Sequence, residues 1–285
     1  MNKRTDYISS PENEDGKFAH KKSLGQNFLT SDIVPNWMCE AGEVQPGDLV
    51  LEIGPGTGML TRALLARKAR VIAVEADIRA VLELEKTFAE ELATEQLTIH
   101  HGDVREITPA IIGLQNHAFK VVANIPYYLS GFLLRTLLES QIQPTSLTFL
   151  IQKELAHRIV RDKKESLLSL SVKAFGEPVY YKNVGRGHFH PQPRVDSAIL
   201  LVKNINQANF TDINSAYFFE TLHLGLGKKR KQLLTNLSEK YDRSIITTIF
   251  TALGLSLTVR GEDVPLPTWI SLVHALSPHA IHTAD

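Results

Sequence analysis

The chain has 285 residues, 43% of them hydrophobic, enough to bury a full α/β core and carry a second small domain. Its 31 basic residues balance its 31 acidic ones, so bulk charge does not mark a nucleic-acid binder, and any cationic surface must come from local clusters. A single cysteine, Cys39, excludes an intramolecular disulfide framework and suits a reducing, cytoplasmic setting, and no apolar run approaches the length of a membrane span.

In chain order, residues 1–20 read as a disordered tail. Lys3 and Arg4 mix there with Asp6, Glu12, Glu14 and Asp15, and no apolar core marks a signal peptide. Cys39 shares an apolar-periodic stretch with Val34, Trp37 and Met38, the pattern of a buried structural thiol. Residues 48–53 form an apolar strand that runs into Gly54-Pro55-Gly56-Thr57-Gly58 and then a helical pattern through Met59, Leu60, Leu64 and Leu65. Glycines at such a turn let the backbone approach a ligand, which makes Gly54 and Gly56 cofactor-binding candidates. A strand over 70–75 ends at Glu75, whose carboxylate suits the hydroxyls of a ribose. An amphipathic helix bearing Glu83, Glu85, Glu90 and Glu91 follows, and a strand over 97–101 delivers Gly102-Asp103, an acid placed to accept from an adenine amino group. The strand over 120–124 ends in Asn124-Ile125-Pro126-Tyr127, and another spans 146–152. A hairpin pairs 179–184 with 197–202, the polar stretch 204–209 reads as a linker, and helical patterns at 218–226, 232–237, 245–253 and 268–276 predict a small all-α domain. Strands alternating with helices predict a parallel α/β sheet.

Three successive strand ends thus carry glycine, glutamate and aspartate, the siting rule for ligands of open α/β sheets. The glycine spacing is G-x-G-x-G, whereas a dinucleotide fingerprint is G-x-G-x-x-G, and no G-x-x-x-x-G-K-[ST] run is present. That spacing is commoner among S-adenosylmethionine (AdoMet) enzymes. The tip Asn124-Ile125-Pro126-Tyr127 suits a flat ring bearing an amine, adenine above all. The Asn124 oxygen and a carbonyl within Ile125-Pro126 each accept one N–H, which turns the amine lone pair outward. Proline fixes that carbonyl in advance, and Tyr127 stacks on the ring. The plain alternative for these four residues is a tyrosine-capped turn with ordinary asparagine chemistry. Methyl transfer to such an amine needs alignment, worth an effective molarity of about 10⁵ M or more, and no metal. The eleven histidines come without H-E-x-x-H or cysteine pairing, and no G-x-S-x-G turn is present, so metal and Ser-His-Asp chemistry find no support.

Several stretches together resemble the KsgA (RsmA) family of small-subunit rRNA adenine N6,N6-dimethyltransferases, from Lys21 to Leu276. Lys21-Lys22-Ser23-Leu24-Gly25-Gln26-Asn27-Phe28-Leu29 is similar to the family's cofactor loop, and Glu52-Ile53-Gly54-Pro55-Gly56-Thr57-Gly58 to its glycine motif. Asn124-Ile125-Pro126-Tyr127-Tyr128 resembles its catalytic motif, and Ile151-Gln152-Lys153-Glu154 the segment after its fifth strand. Phe189-His190-Pro191-Gln192-Pro193-Arg194-Val195-Asp196-Ser197-Ala198 fits its F-x-P-x-P-[KR]-V-x-S signature, and Arg260-Gly261-Glu262 its R-x-E element.

The resemblance implies a Rossmann-like methyltransferase domain over 21–207 and a helical domain over 208–285 in contact with rRNA. It implies AdoMet contacts from Asn27, Leu29, Gly54, Glu75, Asp103 and Asn124, and a Phe189 ring packed on the target adenine opposite Tyr127, a pocket for an unstacked base. Residue patterns alone make Phe189 core packing. The implied reaction dimethylates two adjacent adenosines in a hairpin near the 3′ end of 16S rRNA, within a partly assembled 30S subunit, by a monomer active in ribosome biogenesis.

Basic clusters at 17–22, 158–164 and 228–231 would present a cationic face to that RNA if they gather on one side; each alone reads as a solvated helix end or loop, and the methyltransferase motifs turn that reading to RNA contact for 228–231. The chain departs from the family at Leu224-Gly225-Leu226-Gly227-Lys228-Lys229-Arg230-Lys231-Gln232, where an aromatic and R-R-K-T are usual, and Arg194 stands for a common lysine. Two alternatives stand beside this expectation: the large-subunit rRNA methyltransferases of macrolide resistance, and a non-catalytic assembly or RNA-binding factor. Gly25 and the Val195-Asp196-Ser197-Ala198 ending favour the small-subunit group.

Overall fold

The computed structural model describes residues 27–279, so the expected tail, residues 21–26 of the N-terminal motif and the basic cluster at 17–22 lie outside the described residues. Among the described residues nine strands form in chain order: β1 (Phe28–Leu29), β2 (Leu49–Ile53), β3 (Arg70–Glu75), β4 (Leu97–His101), β5 (Lys120–Asn124), β6 (Ser146–Gln152), β7 (Glu177–Val184), β8 (Phe189–His190) and β9 (Ser197–Lys203). Seven of them make one sheet in the order β4-β3-β2-β5-β6-β9-β7, and β1 pairs with β8 in a separate two-stranded ribbon. The first five run parallel, while β9 runs antiparallel to both β6 and β7. Parallel strands buried on both faces are near-continuous apolar runs, as β2 and β5 are.

Side chains alternate between two cores. Leu51, Ile53, Val121, Ala123, Phe149 and Ile151 face one layer. Val50, Val71, Val122, Leu150 and Ile199 face the other, as the two-residue period of a strand dictates. The first layer is covered by α5 (Ser130–Leu138), α6 (Lys153–Val160) and α7 (Leu167–Phe175). The second is covered by α1 (Ile33–Ala41), α2 (Met59–Ala66) and α3 (Ile78–Thr87). Chain order reverses between β2 and β5, so the carboxyl ends of those two strands open a crevice there.

One sequence expectation needs correction and another gains detail. The acidic helix is two helices, α3 and α4 (Ala89–Ala93), divided at Phe88, whose φ of −115° and ψ of 36° leave helical values. Phe88 turns inward, 2% exposed, because its ring fills the space beside Gly58. The expected linker, 204–209, is packed against α7. Ile205 is buried, the Asn206 N–H donates to the Phe175 carbonyl at 2.8 Å, and Asn209 Nδ2 donates to the Ala174 carbonyl at 2.7 Å.

Beyond that stretch, α8 (Ser215–Gly227), α9 (Leu233–Leu237), α10 (Arg243–Ala252) and α11 (Leu266–Leu276) enclose a third core around Phe218, Leu222, Phe250 and Trp269. Gly225 is required there, since a Cβ would sit 2.4 Å from the Trp269 ring. Leu170 and Ala174 of α7 join the same core. Cys39 is the expected buried thiol, and burial pushes its pKa up to about 12, well above reactive values.

Candidate active site

Every site residue expected from the sequence lines one cavity at the crevice between β2 and β5: Asn27, Leu29, Gly54, Gly56, Glu75, Asp103, Asn124, Tyr127 and Phe189. The glycine turn after β2 runs through positive φ at Gly54, Gly56 and Gly58, a path that L side chains resist. At Gly54 the space a Cβ would take is open, whereas at Gly56 it meets the Phe28 ring at 3.0 Å. The turn thus lies bare to the cavity on one side and is braced by β1 on the other.

Glu75, at the tip of β3, is 5% exposed and held from two directions. Its Oε2 accepts the Gly56 N–H at 3.0 Å and its Oε1 accepts the Asp77 N–H at 2.9 Å. Each oxygen keeps a lone pair for a further donor, the arrangement two ribose hydroxyls need. Asp103, beyond β4, is covered by Arg105. The Arg105 N–H donates to Oδ1 at 2.8 Å, and Nε reaches both carboxylate oxygens at 3.0 Å. That guanidinium holds the Asp103 carboxyl below the usual carboxylate range, so it is an ionised acceptor with a fixed direction.

At the tip of β5 the Asn124 side chain is oriented by the chain's own N-terminal strap. Its Nδ2 donates to the Asn27 carbonyl at 3.3 Å, which leaves Oδ1 as the acceptor end of the amide. Ile125 is buried and Pro126 has φ −55° and ψ 134°, so the carbonyls that follow Asn124 are fixed in direction. Tyr127 opens a single 3-10 turn, and its hydroxyl shares a 2.7 Å hydrogen bond with Ser197 Oγ. Burial raises the Tyr127 pKa and the Ser197 hydroxyl pulls it back, so the phenol stays neutral and its ring is pinned at the oxygen.

Phe189 lies in β8 opposite Leu29 of β1, and the Thr30 N–H donates to the His188 carbonyl at 2.9 Å. At 5% exposed it packs in the core, as the residue pattern has it, and it also walls the cavity. The strap from Asn27 to Leu29 therefore touches the glycine turn, the asparagine amide and the Phe189 strand at once.

Two functional candidates escaped the sequence reasoning. Ser197 stood within a quoted motif without a role, and only the pairing of β9 beside β6 brings it to Tyr127. Glu52 is fully buried at the end of β2 and lines the cavity, with neither carboxylate oxygen hydrogen-bonded among the described residues. Burial, and then the Glu75 carboxylate, push its pKa up to about 8 against the pull of the Thr61 hydroxyl. Its sequence signal was a lone acid in an otherwise apolar strand, Leu49-Val50-Leu51-Glu52-Ile53.

The histidines form no metal-binding cluster with cysteine or carboxylates among the described residues. Two basic clusters converge, since Arg158, Lys164, Lys228, Lys229 and Lys231 line one cleft between α6, α7 and the turn from α8 to α9. Within it Lys164 pairs with Glu262 and Lys228 with Glu239, while Lys229 and Arg230 are exposed.

A crevice that joins a glycine turn, the Glu75 and Asp103 carboxylates and the Asn124 amide at one edge of a parallel sheet has the make-up of an AdoMet-dependent methyltransferase. The donor set fits that cofactor: open backbone at Gly54, and on each Glu75 oxygen a lone pair left for a further donor. Residues 17–276 match the family model described as "Ribosomal RNA adenine dimethylase", and the chain belongs to that family. A "Ribosomal RNA small subunit methyltransferase A" of Dehalococcoides mccartyi is 35% identical, with 90% of this chain and 89% of that protein covered. The protein of the same name in Bacillus cytotoxicus is 31% identical, with 92% and 93% covered. Among solved structures, a dimethyladenosine transferase from Plasmodium falciparum superposes with a TM-score of 0.75 at 24% identity, over 88% of this chain and 98% of that one. The 23S rRNA methyltransferase ErmE gives 0.70, also at 24%, over 88% and 100%, and both share the fold.

Proposed function

We propose that this protein transfers methyl groups from AdoMet to the N6 amine of adenosine in small-subunit (16S) rRNA, giving N6,N6-dimethyladenosine. The observation that carries this is the Asn124 amide. Its nitrogen is engaged by the Asn27 carbonyl, so its oxygen is presented as an acceptor at the mouth of a nucleoside cavity. Asn124 Oδ1 and a neighbouring backbone carbonyl take the two N6 hydrogens, and the nitrogen lone pair turns away from the ring plane. AdoMet supplies an electrophilic methyl carbon: the N–C bond forms as the S–C bond breaks, and the extra N6 proton leaves to solvent. Acceptors fixed in advance stabilise the positive charge growing on nitrogen without reorganising. Tyr127, pinned through Ser197, and Phe189 hold the target ring between two faces. Gly54, Gly56, Glu75 and Asp103 hold the adenosine half of the cofactor, with Asn27 and Leu29 closing over it.

The substrate in full is two adjacent adenosines of a hairpin near the 3′ end, in a partly assembled 30S subunit. A monomer in the cytoplasm acts on it, with residues 208–285 and the basic cleft contacting RNA. The names of the relatives at 31% and 35% identity support the small subunit over the large one. The test is methyl transfer from labelled AdoMet to undermethylated small subunits, with large subunits in parallel and nucleoside mass analysis of both. N6,N6-dimethyladenosine confined to small-subunit RNA is the expected result. Label confined to large-subunit RNA overturns the substrate, and no label with AdoMet bound overturns the reaction.

A further inference from the structure

The residues that follow Tyr127 carry an outward face that begins at the rim of the cavity. Tyr128 lines the cavity mouth yet is 63% exposed. Phe132, roughly one turn on, is 36% exposed, and Arg135, the next residue on that face, is exposed as well. Phe132 and Arg135, three residues apart, share one side of α5, and Tyr128 lies in the 3-10 turn that leads into that helix. The opposite side, with Leu133, Leu134, Leu137 and Leu138, is buried in the core. Both rings of this stripe stay exposed beside the cavity, although the other side of α5 is buried.

We propose that the stripe is a stacking track for the single strand of RNA flanking the target base. The base next to the target lies on Tyr128, the following base lies on Phe132, and Arg135 meets the backbone phosphate. This rests on the rRNA adenine reading above. Turning a base out of its stack strips its neighbour of one stacking face, and an aromatic ring at the rim of the same cavity supplies a replacement. Continuity with the cavity identifies the occupant, because Tyr128 is at once cavity wall and first step of the stripe. Four helical residues rise about 6 Å, against about 3.4 Å between stacked nucleotides, so the strand on the track is splayed, with each base facing protein.

The test uses the full-length protein and an RNA hairpin with two adjacent adenosines in its loop. Tyr128→Ala and Phe132→Ala should each weaken hairpin affinity about tenfold, the usual loss when one stacked base loses its aromatic partner. Tyr128→Phe and Phe132→Tyr should bind within about twofold of the parent, because a ring suffices. Placing an abasic nucleotide beside the target should erase the difference between the parent and Tyr128→Ala. AdoMet affinity, unchanged in Phe132→Ala because that residue lies outside the cavity, confirms the fold of the variant. Hairpin affinities within twofold for both alanine variants overturn the track, as does a penalty that persists on abasic RNA. In those cases methyl transfer to small subunits survives, whereas its absence in the parent protein removes the rRNA adenine reading and the track with it.

Discussion

Replacing Glu52 with glutamine should stabilise the ligand-free protein, and by more as the pH rises. Glu52 is fully buried and its oxygens have no hydrogen-bond partner among the described residues, so the fold favours the neutral acid and its pKa moves from 4.5 to about 8. The folded value lies above the unfolded one, so the folded state binds the extra proton between them. Stability is full below about pH 4.5 and is lost as pH climbs toward 8. From 4.5 to neutral pH is about 2.5 units at 1.36 kcal/mol each, a penalty on the order of 3 kcal/mol at pH 7. Glutamine keeps the shape and cannot ionise, so the variant should melt higher at pH 7 by about 6 °C or more. Urea titrations of both proteins from pH 5 to 8.5 isolate this group, because all other ionisations are shared. The gap should shrink below about 1 kcal/mol at pH 5 and widen through pH 8. A gap that stays flat across this range, or a variant less stable than its parent at pH 8, refutes a buried neutral acid at Glu52.

Asn124→Ala removes the amide acceptor and should lower kcat by about 10²-fold or more while AdoMet affinity changes only severalfold; single-turnover transfer and equilibrium binding report the two separately. Ser197→Ala and Tyr127→Phe each delete the same 2.7 Å hydrogen bond, so the double variant should lose little more activity than either single one, and additive losses would count against a shared role. Gly58→Ala places a Cβ 2.6 Å from the Phe88 ring at a φ of +79°, which should cost about 1–3 kcal/mol of stability by denaturant unfolding, and a neutral result would contradict the packing. Charge reversal at Lys229 and Arg230 together should weaken RNA binding and flatten its dependence on salt, and an unchanged salt slope would take the turn after α8 out of the interface.

The parts of the site legible in the sequence are those that local chemistry marks. A glycine turn, Glu75, Asp103 and the Asn124 tip each announce themselves at the end of an apolar strand, and the parallel order of the sheet then brings the ends together. What stayed hidden depends on neighbours distant in the chain. Glu52 and Glu75 are the same residue type at the tips of adjacent strands, yet one is braced by two N–H groups and the other by none, a difference no local pattern carries. Asp103 reads as bare until Arg105 folds back over it. Phe88 sits in a run with good helical periodicity, and only the space beside Gly58 explains the break. The polar composition of 204–209 reads as a linker and carries no sign of the hydrogen bonds from Asn206 and Asn209 that tie it to α7.

Because α7 turns Val172 and Phe175 toward the sheet and Leu170 and Ala174 toward the C-terminal helices, neither core can close without it. A chain cut after residue 207 would keep the whole cavity and still leave Leu170 and Ala174 with no cover on their outer side. Such a fragment carries an adhesive strip where the intact protein has interior, and it should self-associate. Heating the whole protein should show both halves melting in one transition, since the helix that ends one interior begins the other.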